Sequence, residues 1–183
     1  MKYLIGAATA LLVLVIGGLG VVLAGAYDVA ATDPHPALVS WAFDTTMEKS
    51  VERQAKAIDA PAAFTPEQVS NGFADYDEMC VSCHAGPGID RTEWAEGLYP
   101  KPPMLTEASS HWEANEVFWI LRHGIKMSGM PALGPTHSDE DLWAVTAFVS
   151  QLPTMTATEY AALKAQTGGE GHHEEDGDET DGH

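Results

Sequence analysis

The run Cys80-Val81-Ser82-Cys83-His84 places two thiols and an imidazole in one short stretch of chain. C-x-x-C-H is the attachment signature of c-type haem. Thiols three positions apart at a helix end can each reach one vinyl group of a porphyrin and close a thioether. The next residue, His84, is then directed at the iron. Two other chemistries use similar residues. A zinc site wants four ligands, and the chain has no second cysteine pair. A thioredoxin-type dithiol belongs at a strand-to-helix junction with a reactive first thiol, whereas Cys80 and Cys83 close a helical pattern. Covalent haem c is the chemistry expected, one group per chain, and it consumes both cysteines.

Iron held by His84 leaves a second axial position. The segment Gly124-Ile125-Lys126-Met127-Ser128-Gly129-Met130-Pro131 offers sulfur for it. Met130 is the expected ligand, because Pro131 fixes the backbone after it and Gly129 permits a tight turn before it. Met127 is the rival thioether, with packing on the haem edge as its other role. His123 is the rival nitrogen, with a place at a helix C-terminus as its other role. An open site is the remaining alternative. His35, His111 and His137 are assigned surface or capping roles.

The elements that must carry these residues read as helices. Met47, Val51, Ala55 and Ile58 recur at helical steps, which predicts a helix over 37–58, with Asp44 as a cap and a role as stalk or collar. Thr65, Pro66 and Gln68 form a capping-box start for a helix running to Cys80. A further helix is expected over 113–122, stopped by Gly124. Ser138 opens another with Asp139, Glu140 and Asp141 in its first turn, closed by Pro153. A short helix is placed at 156–165, and residues 85–112 read as loop. No useful strand alternation appears, so the fold class expected is all-α.

Two flanking segments cannot join a core. Between Lys2 and Asp28 there is no charge, and about 20 such residues cross a bilayer as a helix. Tyr3 and Tyr27 sit where aromatic belts fall. A cleavable signal peptide is the competing reading, since Ala24-Gly25-Ala26 fits a cleavage pattern, but the apolar run exceeds a usual signal core. Either way the rest of the chain is exported, and Lys2 votes for an inside N-terminus. At the other end, residues 168–183 hold seven acids, three histidines and five glycines, a composition that reads as disordered. His172, His173 and His183 among those carboxylates are a weak divalent-metal candidate beside the plainer reading of a solvated tail. The expected division is 1–27 anchor, 28–64 linker with stalk helix, 65–165 haem domain and 166–183 tail.

With 27 acidic and 9 basic side chains the formal charge is −18, which argues against nucleic-acid binding. Arg91, Lys101, Arg122 and Lys126 all fall in the haem-wrapping stretch and suggest a mildly basic rim, with scattered surface charge as the alternative.

Over residues 65–153 the sequence resembles the class I cytochromes c. Gly72, Tyr76 and Cys80 follow the family's G-x-x-x-[YF]-x-x-x-C pattern, Cys80, Cys83 and His84 its haem motif, and Met130-Pro131 its distal Met-Pro. The resemblance implies a fold wrapped around one haem, with a C-terminal helix crossing the first helix at Gly72, where an aromatic such as Phe148 packs close. It implies that Pro87 offers its carbonyl to the proximal His84. The departure is the Pro-rich stretch Leu98–Met104 together with Trp94, Trp112 and Trp119, read as core and haem-pocket packing. One of these tryptophans, Tyr99 or Arg91 is a candidate partner for a haem propionate. The implied function is one-electron transfer without catalysis, since a six-coordinate iron leaves no place for substrate. The implied partners are membrane or periplasmic redox proteins: a quinol-oxidising complex, a terminal oxidase or a dehydrogenase. The place expected is the cytoplasmic membrane, single-pass, with the haem domain on the periplasmic side. A haem enzyme or gas sensor with an open site, and a cytochrome subunit of a dehydrogenase or oxidase, are the alternatives.

Overall fold

The computed structural model describes residues 1–167. Of the predicted tail, residues 168–183 with their histidines lie outside the described residues, and Gln166 and Thr167 belong to the last helix. Two units are distinguished, Met1–His35 and the remainder from Pro36.

The first unit is dominated by helix α1, Lys2–Leu23, whose side chains are all exposed. Its 22 residues rise about 33 Å, enough for the ~30 Å hydrocarbon core of a bilayer. By length and composition it fits a membrane anchor. The helix stops before Tyr27, at a turn in which Gly25 takes φ +60°. Tyr27 is therefore not part of it, and its Oη lies 2.6 Å from His35 Nδ1.

The second unit is helical, and among the described residues it contains no strand, only an isolated bridge between Gly86 and Ile89. Its helices are α2 (Ala37–Ala55), α3 (Pro66–Asp75), α4 (Val81–His84), α5 (Leu105–Ala108), α6 (Ala114–His123), α7 (Asp139–Val149) and α8 (Ala157–Thr167). Short 3₁₀ turns at Glu93–Gly97, Ser109–His111 and Leu152–Thr154 break up the rest.

Capping explains where the long helices begin. Thr65 and Gln68 make the expected reciprocal box at the start of α3. Glu113 with Glu116 does the same for α6, and Ser138 with Asp141 for α7. Asp44, however, lies inside α2, which starts at Ala37 after Pro36 without a side-chain cap. Pro36 disfavours helical backbone in the residue before it, His35, so the helix does not extend backwards past it. The C-terminal half of α2 is also more than a stalk. Val51 and Ala55 are buried, and Asn115 Nδ2 of α6 donates to the Ala55 carbonyl at 2.9 Å.

The core lies where α3, α6, α7 and α8 meet. α7 is buried along nearly its whole length. Phe73 stands edge-on to Phe148 at 5.4 Å and to Tyr160 at 5.1 Å. Trp143 stacks on Phe118 at 4.1 Å. At the crossing of α3 and α7, Gly72 faces the Ala144 carbonyl, on which a Cβ would fall directly. This corrects the expectation that Phe148 fills that place. The residue without a side chain admits a backbone, and Phe148 sits one turn further along, against Phe73 and Tyr76.

The box at the start of α7 carries a testable stability term. Ser138 N donates to Asp141 Oδ2 at 2.9 Å, and Asp141 N returns a bond to Ser138 Oγ at 3.2 Å. The Ser138 hydroxyl, then its backbone N–H, hold the Asp141 carboxyl below the usual range. A depressed carboxylate adds stability above its unfolded pKa of ~3.9 that is lost as pH falls through the folded value. Ser138→Ala should cost about 1 kcal/mol near neutrality. In urea titrations its deficit against the parent protein should shrink once the pH drops below ~4.

Candidate functional site: the Cys80–His84 helix end and the Met130 loop

The helix that begins at Pro66 does not stop at Cys80. It passes through one π-helical turn, Tyr76–Cys80, and ends as α4 at His84. Val81 N closes the wide turn by donating to the Tyr76 carbonyl. A π turn inserts an extra residue and so rotates the downstream residues about the helix axis; such turns recur at functional sites. The rotation sets the directions of Cys80, Cys83 and His84 relative to the face that α3 presents to α7. No spacing in the sequence signals it.

Both cysteines are free thiols, half-buried. Burial, then the neighbouring Asp75 carboxylate, pushes the Cys80 thiol up to about 12. A thiol held protonated in this way is a poor redox nucleophile, which weighs against the dithiol alternative. Among the described residues no three His, Cys, Asp or Glu side chains converge to hold a metal ion directly.

His84 is oriented from behind. Its Nδ1 lies 2.8 Å from the Pro103 carbonyl. A carbonyl only accepts, so Nδ1 carries the proton. Burial lowers the imidazole's proton affinity and keeps it neutral. The lone pair then resides on Nε2, the state a metal-binding imidazole needs. The acceptor is Pro103 and not Pro87. The chain makes a wide excursion and returns, so the carbonyl comes from 19 residues downstream.

The residue after His84 is strained. Ala85 is buried with φ 61° and ψ −176°, a region that is almost glycine's alone. Gly124 takes the same conformation at the end of α6. At Ala85 the conformation is held by Tyr76, whose buried hydroxyl donates to the Ala85 carbonyl at 2.6 Å. Burial raises the phenol's pKa, so it stays a donor. Ala85→Gly should raise stability by roughly 0.5 kcal/mol, because relief of strain near the middle of its ~1–3 kcal/mol range outweighs the loss of one buried methyl at ~0.8 kcal/mol and the ~0.4–1 kcal/mol of chain freedom that glycine adds to the unfolded state. Denaturant titration of the two proteins checks it.

The Met130 loop is positioned by the end of α6. Leu133 N and Gly134 N donate to the otherwise unpaired carbonyls of Leu121 and Arg122, at 2.9 and 3.1 Å. Gly124 allows this return; a Cβ there would lie 2.7 Å from Pro131 C and Ala132 N. The loop is closed on itself by Ile125 N to the Met130 carbonyl, and by Ser128, whose hydroxyl donates to Ile125 O and accepts from Met130 N. Met130 is half-buried and packs against the same core as Cys80. Met127 is 83% exposed, with φ 59°. His123 is exposed, beside the Trp119 ring at 4.9 Å.

The tryptophans divide. Trp112 and Trp119 are half-buried, but Trp94 is 61% exposed and belongs to no core. The cations of the expected basic rim are partly paired. Arg91 and Lys101 both pair with Glu96, and Arg122 pairs with Asp139. Three of the four cations thus share two carboxylates.

The donor set fits a covalently held haem. Two unlinked thiols end a helix, a neutral imidazole offers Nε2, and a thioether packs against the same core. Half-buried Leu105, Val117 and Leu133 flank that core with apolar surface.

Residues 67–149, from the first turn of α3 to the end of α7, match the family described as cytochrome c oxidase, cbb3-type, subunit III. No curated protein matches the chain. The helical fold and this match define a c-type cytochrome domain, carried by a chain whose N-terminal apolar helix fits a membrane anchor. Helices α2 and α8 lie outside the matched segment.

Proposed function

We propose that the protein is a membrane-tethered one-electron carrier in which Cys80 and Cys83 attach a single haem c, His84 is the proximal ligand and Met130 the distal one. The haem, when bound, supplies the one-electron couple. The observation that carries this reading is the state of His84: Nδ1 is committed to the Pro103 carbonyl, leaving Nε2 for iron. The contrast between half-buried Met130 and exposed Met127 supports the choice of sulfur.

In this reading residues 65–165 hold and shield the haem, α1 tethers the chain with that domain on the periplasmic side, and 28–64 joins the two. Tethering keeps the carrier at high effective concentration beside membrane partners. The protein is an electron-transfer component and not itself an enzyme. The family match favours a second reading within the same chemistry, a cytochrome subunit of a respiratory oxidase complex.

Intact mass and membrane fractionation test the proposal together. The expected result is a chain carrying one haem's mass through Cys80 and Cys83, recovered with membranes. A chain without a tetrapyrrole adduct, made in a host able to install one, would end the reading.

A further inference from the structure

We propose that Arg91 is a positioning residue for the axial imidazole, fixing the carbonyl that holds His84. This rests on the reading of His84 as haem ligand given above.

Residues 91–103 leave the attachment helix and come back to it. At the start, Thr92 is fastened to the Ser82 carbonyl by its backbone N–H at 2.9 Å and its hydroxyl at 2.8 Å. At the end, the Pro103 carbonyl accepts from His84 Nδ1. The returning stretch contains Pro100, Pro102 and Pro103, which have no N–H to donate. It therefore needs an outside group to fix it. Arg91 is that group. Its side chain is only 10% exposed, and one guanidinium nitrogen donates to the Pro102 carbonyl at 2.5 Å. Its Nε pairs with Glu96 at 3.0 Å, and the other oxygen of Glu96 pairs with Lys101, just ahead of Pro102.

Stereochemistry turns this bond into control of the next carbonyl. The Pro102 carbonyl belongs to the planar peptide that enters Pro103. Holding it sets that plane, and the Pro103 ring locks φ at about −65°. Only ψ of Pro103 then separates the plane held by Arg91 from the carbonyl facing His84. A well-aimed acceptor strengthens the Nδ1–H bond, raises the basicity of Nε2 and favours ferric iron. Loosening Arg91 should tilt the balance towards ferrous.

The test uses the full haem-loaded chain with Arg91→Gln, Arg91→Lys and Glu96→Gln. Two quantities are read: the ferrous-to-ferric ratio at a fixed ambient potential, and exchange of the His84 ring N–H by NMR. Arg91→Gln should raise the ratio about three- to tenfold, tenfold being about 59 mV for a one-electron couple. Ring N–H exchange should quicken by about tenfold or more as the acceptor is released. Arg91→Lys should fall between, since an ammonium lacks the fork that reaches both Pro102 and Glu96. Glu96→Gln should move both readouts less, in the same direction.

A merely structural role would lower the unfolding temperature and leave ring N–H exchange unmoved in every variant. It would also leave the ratio unmoved in the charge-conserving Arg91→Lys, the charge lost in the two Gln variants being the only other source of a shift in the ratio. That result in Arg91→Lys and Glu96→Gln overturns the proposal, and those two variants decide the matter if Arg91→Gln does not mature. Unmoved readouts beside a parent protein with haem on His84 sink the proposal alone. A parent protein without haem on His84 sinks it together with the site reading.

Discussion

Met130→Ala, in the haem-loaded protein, is expected to abolish the sulfur-to-iron charge-transfer band at the red edge of the visible spectrum and to let the ferrous form bind carbon monoxide promptly. Its potential should fall by roughly 0.1–0.3 V, a fraction of the ~0.8 V over which axial ligands tune haem iron. The sign follows from thioether sulfur, which favours the ferrous state. Met127→Ala should leave all three readouts at their parental values. The structural basis is the difference between the two thioethers. Met130 sits in a loop closed by Ser128 and by the Ile125–Met130 backbone bond, against the core. Met127 stands 83% exposed on the outer side of that loop. A parent protein that already binds carbon monoxide would favour the open-site alternative, and a band surviving in Met130→Ala would transfer the role to Met127.

The second large effect concerns the helix crossing. Gly72→Ala should destabilise the domain by about 3 kcal/mol or more, at the upper end of overpacking penalties. A Cβ at Gly72 meets the Ala144 carbonyl and the Val145 N–H, which are backbone atoms in the middle of a buried helix and cannot swing aside. The melting midpoint should drop by roughly 10 °C. Haem incorporation should fall as well, because α3 runs without a break through the π turn into Cys80. Gly97→Ala is the control. Nothing lies within 4 Å of a Cβ there, and the change should stay within about 0.5 kcal/mol. Equal melting curves for Gly72→Ala and the parent protein would show that the crossing tolerates separation.

These two predictions mark how far local pattern reaches. The α3 and α7 starts were legible because a capping box is settled within four residues. The end of α6 was legible because Gly124 stops the helix by its own backbone preference. The membrane-length helix was legible in its lack of charge, and the C-x-x-C-H run is contiguous, so its expected chemistry could be read without any tertiary contact. Gly72 was legible as a crossing point, but the atom that fills it was not, since a missing side chain says that something comes close and not what.

Amino-acid order alone determined an all-α domain of cytochrome c type, the thiols and imidazole of its C-x-x-C-H run, and two candidate sulfurs three residues apart. Tertiary structure decided the rest: that the carbonyl on His84 comes from Pro103, that Arg91 and Lys101 share the one carboxylate of Glu96, that a π turn re-aims the helix end at Cys80–His84, and that one thioether is half-buried and the other exposed. The physical reason is range. Caps and turns close within a few bonds, whereas the partner of a buried polar group depends on the path of a loop, which is set by packing summed over the whole domain.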